Sequence, residues 1–262
     1  MEWEIKQLLP WLNALWWPFC RALAFLAAAP MVGDAMVPVT VRVLLALVLA
    51  VILMPISQAT ALPLDPWSLA GVVAAAEQAL LGLVLGLAFQ LAMTAITVLG
   101  FLLSSQLGLA MAVMNDPLNG SLSDVVTALL SMLCMLVFFS VDGHLIFIQV
   151  LGGSFRAWPV GSGLDALALE TVAYNLAWVF SAALLLALPV VFSTLVVQMG
   201  MGLLNRVSPS LNLFSLGFSL VTIFGLFMLT RMLAHVPDHY LRMTRQVLEM
   251  VERGLRQGVG HG

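Results

Sequence analysis

Side chains able to perform reactive chemistry are few in this sequence: four histidines, two cysteines and thirteen carboxylates among 262 residues. His235 and His239 stand at the i, i+4 spacing that sets two imidazoles on one helix face, as a zinc pair requires. Pro237 lies between them, however, and marks a helix terminus better than a helix interior. Asp142, Gly143 and His144 form a compact polar knot with two readings: a proton relay or half of a metal site, or a helix break whose polar groups cap one another or meet solvent. The break is the preferred reading, because a metal would need further ligands. Cys20 and Cys134 sit in separate apolar runs with no CxxC partner, and read as small buried hydrophobes. HExxH, GxSG and GxGD are absent, and the histidines have no partner set for hydrolysis. The expectation is a protein with no catalytic residue, no cofactor and no metal.

The chain around these residues is 62% hydrophobic and only 9% charged, with a mean hydropathy of +1.07. Soluble domains hold roughly 45–50% apolar residues, so this is a membrane or membrane-complex protein. A net charge of -3 with ten scattered basic residues leaves no patch to capture phosphates, which excludes nucleic acid as a partner. The acidic start MEWEIK, followed by an apolar run containing Arg21, does not look like a cleaved secretory signal.

Six apolar stretches approach the length of about 20 residues that crosses a bilayer: Leu8 to Ala29, Val39 to Ile56, Leu69 to Leu103, Val125 to Leu151, Val172 to Met199, and Leu211 to Val236. They break at PMVGDAMVP, TALPLDPW, NDPLNGSLSD, GGSFRAWPVGSG and NRVSPS, all rich in turn formers. The pattern predicts an all-α membrane-associated protein, with one helical domain over residues 1–236 and a hydrophilic, Arg-containing tail over 237–262. Arg242, Arg245, Arg253 and Arg256, joined by Lys6 and Arg156 if the segments alternate, place that tail on the cytoplasmic side; Arg42 and Arg206 oppose it. Trp67 and Trp158 fall in loops of the same side, where interfacial indoles belong.

Simple spans do not account for everything. The third segment is too long for one crossing, and it carries Glu77 together with Gly82 and Gly86 at the GxxxG spacing that lets a neighbouring helix backbone approach. A charge near a helix centre costs roughly 2.5–3.5 kcal/mol on insertion scales. Arg21, Arg42, Glu77 and Asp142 lie in or beside such runs, so these helices face protein more than lipid. Between Gly200 and Leu220, the cluster Asn205, Arg206, Ser208, Pro209, Ser210 and Asn212 is likewise too polar for hydrocarbon and must be buried in protein or solvated. In QLGLAMAVMNDPLNG, Gly108, Asn115, Pro117 and Gly120 disfavour a continuous helix, and Met111 and Met114 have two readings: ordinary core filling, the default for any single Met, or flexible thioethers that mould around varied apolar and extended chains.

Several stretches together resemble the FliR family of type III secretion export-gate proteins, flagellar and injectisome. They are RALAFLAAAPMVGDAMVPVTVRVLLALVLAVILMP, EQALLGLVLGLAFQ, QLGLAMAVMNDPLNG, DGHLIFIQVLGGSFRAWPVG and, most specific, LLNRVSPSLNLFSLGFSL, in the family's order over residues 21–225. The resemblance implies a non-enzymatic subunit of the gate through which unfolded flagellar proteins leave the cytoplasm, in the bacterial inner membrane at the flagellar basal body. It implies long kinked helical hairpins assembling into a pseudo-helical complex, one copy of this chain with FliP and FliQ, contacting FlhB and FlhA, export substrates and membrane lipid. The loop from Gln106 to Asn119 would be the channel plug, with Gln106, Gly108, Met111, Met114, Asn115 and Pro117 in it. Subunit packing would fall to Glu77, Gly82, Gly86, Asn205, Arg206, Pro209, Asn212 and Phe214. The alternatives are the equivalent injectisome subunit, or a secondary transporter using Glu77, Asp142 and Arg156; the latter should show an internal repeat, and no convincing one is visible.

Overall fold

The structure, a computed structural model, describes residues 2–33, 37–60, 65–109, 113–115, 122–161, 166–207 and 213–259. Long runs of Leu, Ala and Met, all strong helix formers, fold as eight helices among the described residues: α1 (Glu2–Ala28), α2 (Val39–Thr60), α3 (Leu69–Gln106), α4 (Val125–Ser140), α5 (Gly143–Ala157), α6 (Ala166–Val207), α7 (Leu213–Leu233) and α8 (Val236–Val259). The chain is an all-α membrane protein, as expected, with one addition. Val113–Asn115 (β1) and Leu122–Asp124 (β2) pair as a small antiparallel ribbon, Val113 opposite Asp124 and Asn115 opposite Leu122.

Among the described residues three helices are long and apolar enough to cross a membrane, within Val39–Gln58, Leu69–Gln106 and Ser181–Val207, or up to five spans if two bent pairs each count as one. At 1.5 Å per residue the 38-residue α3 has a contour of about 57 Å, well beyond a hydrocarbon core of about 30 Å. The helix break preferred at Asp142 is present: it separates α4 from α5, with a left-handed backbone (φ 56°, ψ 33°) and no capping hydrogen bond from its side chain. Asp142 and His144 are exposed, and His144 lies beside Phe139 with ring centroids 6.0 Å apart. Asn205 and Arg206, expected in a loop, form the last turn of α6, and both are exposed. Residues set apart as a tail form most of α8, with Pro237 in its first turn, where the missing N–H is harmless.

The chain divides into two compact units. The first comprises Met1–Leu91, Phe139–Asn175 and Thr244–Gly262. Its centre is Arg21 of α1, wholly buried. The guanidinium donates from Nε to Gln78 Oε1 of α3 (2.8 Å), from Nη1 to Ser154 Oγ of α5 (2.9 Å) and from Nη2 to the Trp158 carbonyl (2.8 Å), and it lies 3.9 Å over the Phe155 ring. Close approach of α1 to α3 depends on Gly82 and Gly86: a Cβ at 82 would run into the Arg21 carbonyl, and one at 86 would meet Phe25 O at 2.5 Å and Ala28 Cβ at 2.9 Å. Next to that seam, Phe25, Phe89 and Phe147 stack edge to face, with centroids 4.9–6.2 Å apart. Arg42 closes the α1–α2 turn by donating to the Val32 and Gly33 carbonyls, each at 3.0 Å. Glu77, half-buried, lies on the same stretch of α3 as the two glycines.

The second unit comprises Ala92–Phe138 and Leu176–Met243. There α4 meets α3 at Gly100, where a Cβ would strike Thr127 Cα at 2.6 Å.

Replacing Arg21 by Met removes the donor from Gln78 Oε1, which is buried, and from the part-buried Trp158 carbonyl, and costs Ser154 Oγ one of its two partners; a buried acceptor left unsatisfied costs about 1–3 kcal/mol, and Lys cannot reach all three groups from one ammonium. Arg21→Met and Arg21→Lys are both expected to lower the thermal midpoint of the detergent-solubilised chain. Gly82→Val is expected to destabilise by about 1–3 kcal/mol through overpacking. A midpoint unchanged in all three variants would refute this account of the α1–α3 seam.

Candidate functional site

The second unit holds the residues that the sequence singled out at the end of α3. The helix stops because Gly108 takes a left-handed conformation (φ 70°). The Leu109 N–H then donates to Ser104 O (2.9 Å) and the Gly108 N–H to Ser105 O (3.4 Å), the paired bonds of a Schellman terminus that satisfy otherwise orphaned carbonyls. Leu107, just before the glycine, is held twice by α7. Its carbonyl accepts from Thr222 Oγ1 at 3.0 Å, and its side chain fills the space a Cβ on Gly225 would need.

At the far end of the turn-rich segment, β2 delivers Asp124 to the start of α4. Asp124 Oδ1 accepts from the Thr127 N–H at 2.8 Å and Oδ2 from Thr127 Oγ1 at 2.7 Å, the geometry of an N-cap. Partial burial works to raise the Asp124 carboxyl, but the side-chain and backbone hydrogen bonds from Thr127 outweigh it and hold the group below the usual carboxylate range.

Between the end of α3 and the helices α6 and α7 lies an open recess of about 400 Å³. The end of α3 contributes Ser105, Gln106 and Gly108; α6 contributes Gln198, Met201, Gly202 and Asn205; α7 contributes Gly217 and Val221. The α6 residues follow the i, i+3, i+4, i+7 spacing of one helix face. Gln106 Oε1 receives only a long contact from Thr194 Oγ1, 3.4 Å. Among the described residues Gln198 and Asn205 have no hydrogen-bond partner, and both are exposed. The opposite stripe of α6 is apolar and open: Leu185, Leu188, Phe192, Val196, Met199 and Leu203 are all exposed, Phe192 by 68%.

The structure thus brings Gln106, Gly108 and Asn205 to one recess. Met114 and Asn115 fall on β1, Arg206 is exposed in the last turn of α6, and Phe214 lies in the first turn of α7. Glu77, Gly82 and Gly86 belong to the first unit. Met111, Pro117, Pro209 and Asn212 lie outside the described residues. Sequence reading missed Gln198, Gly202 and Gly217. The seven-residue interval from Gln198 to Asn205, one helix face inside an apolar run, was the available signal. Among the described residues no group of three His, Cys, Asp or Glu could hold a metal ion.

Apolar helices of membrane-crossing length, with a neutral, amide-lined recess on one face of α6, define a helical membrane protein. Residues 12–247 match the model of bacterial export proteins, family 1, and the chain belongs to that family. It is 32% identical over 248 residues to flagellar biosynthetic protein FliR of Pectobacterium carotovorum, covering 94% of each chain. With the FliR of Escherichia coli K12 it shares 32% identity over 222 residues, 84% of each chain. It also resembles Yop proteins translocation protein T of Yersinia pestis, 29% identical over 143 residues, 53% of this chain and 55% of that one.

Asp124→Ala removes the α4 cap and is expected to cost about 1 kcal/mol. Because the folded carboxyl is held below its unfolded value, the stability it confers is full at neutral pH and drains as pH falls through the folded value. Thermal midpoints measured from neutral to acid pH should converge for wild type and variant at the acid end; a constant gap would contradict the role assigned to the carboxylate.

Proposed function

We propose that this chain is a non-enzymatic core subunit of the flagellar type III protein export gate, forming part of the wall of the channel that unfolded flagellar proteins cross. The observation that carries this reading is the family match over residues 12–247, with relatives named flagellar biosynthetic protein FliR aligned over most of their length. The flagellar assignment is favoured over an injectisome because the Yersinia relative aligns over only about half of either chain.

In this reading one copy assembles with FliP- and FliQ-type subunits, with FlhB and FlhA alongside, in the bacterial inner membrane at the flagellar basal body. Residues 1–236 act as the gate domain, and 237–262 lie on the cytoplasmic side. The segment that leaves α3 at Gly108 and returns through β2 serves as the channel plug, with Gln106, Gly108, Met111, Met114, Asn115 and Pro117 in it. Its two held ends support such a role, because a plug must be tethered on both sides to reclose. Arg206, Pro209, Asn212 and Phe214, at and after the end of α6, pack against neighbouring subunits, and no residue makes or breaks a covalent bond.

Co-expression with FliP- and FliQ-type partners is expected to raise recovery of the chain sharply and to yield a co-purifying complex; a stable lipid-embedded monomer indifferent to those partners would sink the proposal. Deleting residues 108–115 should increase ion leakage through the assembled gate, and unchanged leakage would reject the plug. Arg206→Leu and Asn212→Leu should each lower recovery of the complex, whereas full assembly with lost secretion would move both residues from packing to transport.

A further inference from the structure

We infer that the recess between α3, α6 and α7 binds the main chain of the polypeptide in transit through Gln106, Gln198 and Asn205, an inference that rests on the export-gate reading above. None of the ten described lining residues is charged, so the recess cannot select by charge. It offers carboxamides, each with two N–H donors and a carbonyl acceptor. An extended chain presents that same mixture, one N–H and one C=O at every residue other than proline. A packed helix does not, because its backbone groups already bond internally.

Spatial arrangement favours the same occupant. Gln198 and Asn205 stand seven residues apart on one face of α6, about 10 Å along its axis, which spans about three residues of extended chain. Gly202, between them, has open space where a Cβ would be, and Gly217 opposite meets only Met201 Cε and Cβ at 3.7 and 3.9 Å. The walls therefore admit a backbone at close range. Both carboxamides lie within the helix range Ser181–Val207, apolar enough to cross a membrane, where an amide turned to hydrocarbon without a partner costs several kcal/mol. Turned to a recess that holds water at rest and peptide during export, they lose nothing. The matching surface reads no particular side chain, which is what a passage for many different unfolded sequences requires.

A photo-crosslinking amino acid at Met201 tests this while leaving all three carboxamides in place, with the same probe at Leu203 on the outward stripe as control. In the assembled gate, with an export substrate stalled by a fused folded domain, Met201 is expected to crosslink to the substrate wherever the stall falls, and Leu203 is not. In parallel, Gln198→Leu/Asn205→Leu is expected to slow secretion several-fold in gates that assemble normally, with Gln198→Asn/Asn205→Gln restoring most of it. Crosslinks from Met201 only to neighbouring gate subunits or lipid would overturn the inference, as would wild-type secretion by the leucine double variant. If that variant fails to assemble, the Met201 crosslink decides alone. Loss of co-purification by the wild-type chain would instead strike the export-gate reading itself.

Discussion

One buried guanidinium organises the first unit. Arg21 draws α1, α3 and the end of α5 together through three hydrogen bonds to neutral acceptors, and the described residues place no carboxylate against it. Its charge is spread over a planar group that bonds at its edges and stacks on Phe155 at its face, an environment suited to Arg and unsuited to the compact ammonium of Lys. Everything near it follows from accommodating that group. Gly82 is small because the Arg21 backbone presses against it, Gln78 is one helical turn earlier on the same face of α3, and the Ser154 hydroxyl accepts from the guanidinium while donating to the Leu151 carbonyl. A charge that would be costly in lipid is thereby turned into the element that sets the register of three helices.

Much of the architecture was legible in the sequence, because membrane helices announce themselves by the length of their apolar runs. The breaks before Val39, Leu69 and Val125 follow from turn-forming clusters. The break read from the polar knot of Asp142 and His144 is there as well, splitting α4 from α5 at a left-handed backbone. Where the reading slipped, the cause is physical. Asn205 and Arg206 look like loop residues by composition, yet a helix end tolerates polar side chains that are exposed to solvent. Strands of three residues are too short to show a period-two pattern, so the ribbon leaves no mark.

Long-range partnerships were the least legible. Arg21 meets Gln78 and Ser154 across 57 and 133 positions of sequence, and nothing local announces either. The GxxxG spacing of Gly82 and Gly86 foretold a close backbone approach without saying whose, and the backbone is that of α1 in the same chain. The recess was partly visible: Gln106, Gly108 and Asn205 stood out as polar or helix-breaking residues, whereas Gln198 was concealed by the apolar residues around it.

The double attachment of Leu107 to α7 has a mechanical consequence. A pull on the chain beyond Leu109 meets a swivel at Gly108, then a post: the Thr222 hydrogen bond and the Leu107 side chain lodged at Gly225. Load is shunted sideways into α7 before it reaches the ladder of α3, whose helical bonds would otherwise unzip one at a time. At the other end Asp124 and Thr127 brace the return strand on α4. Tension applied at either described end is thereby passed to a neighbouring helix, to α7 at Leu107 and to α4 at Asp124.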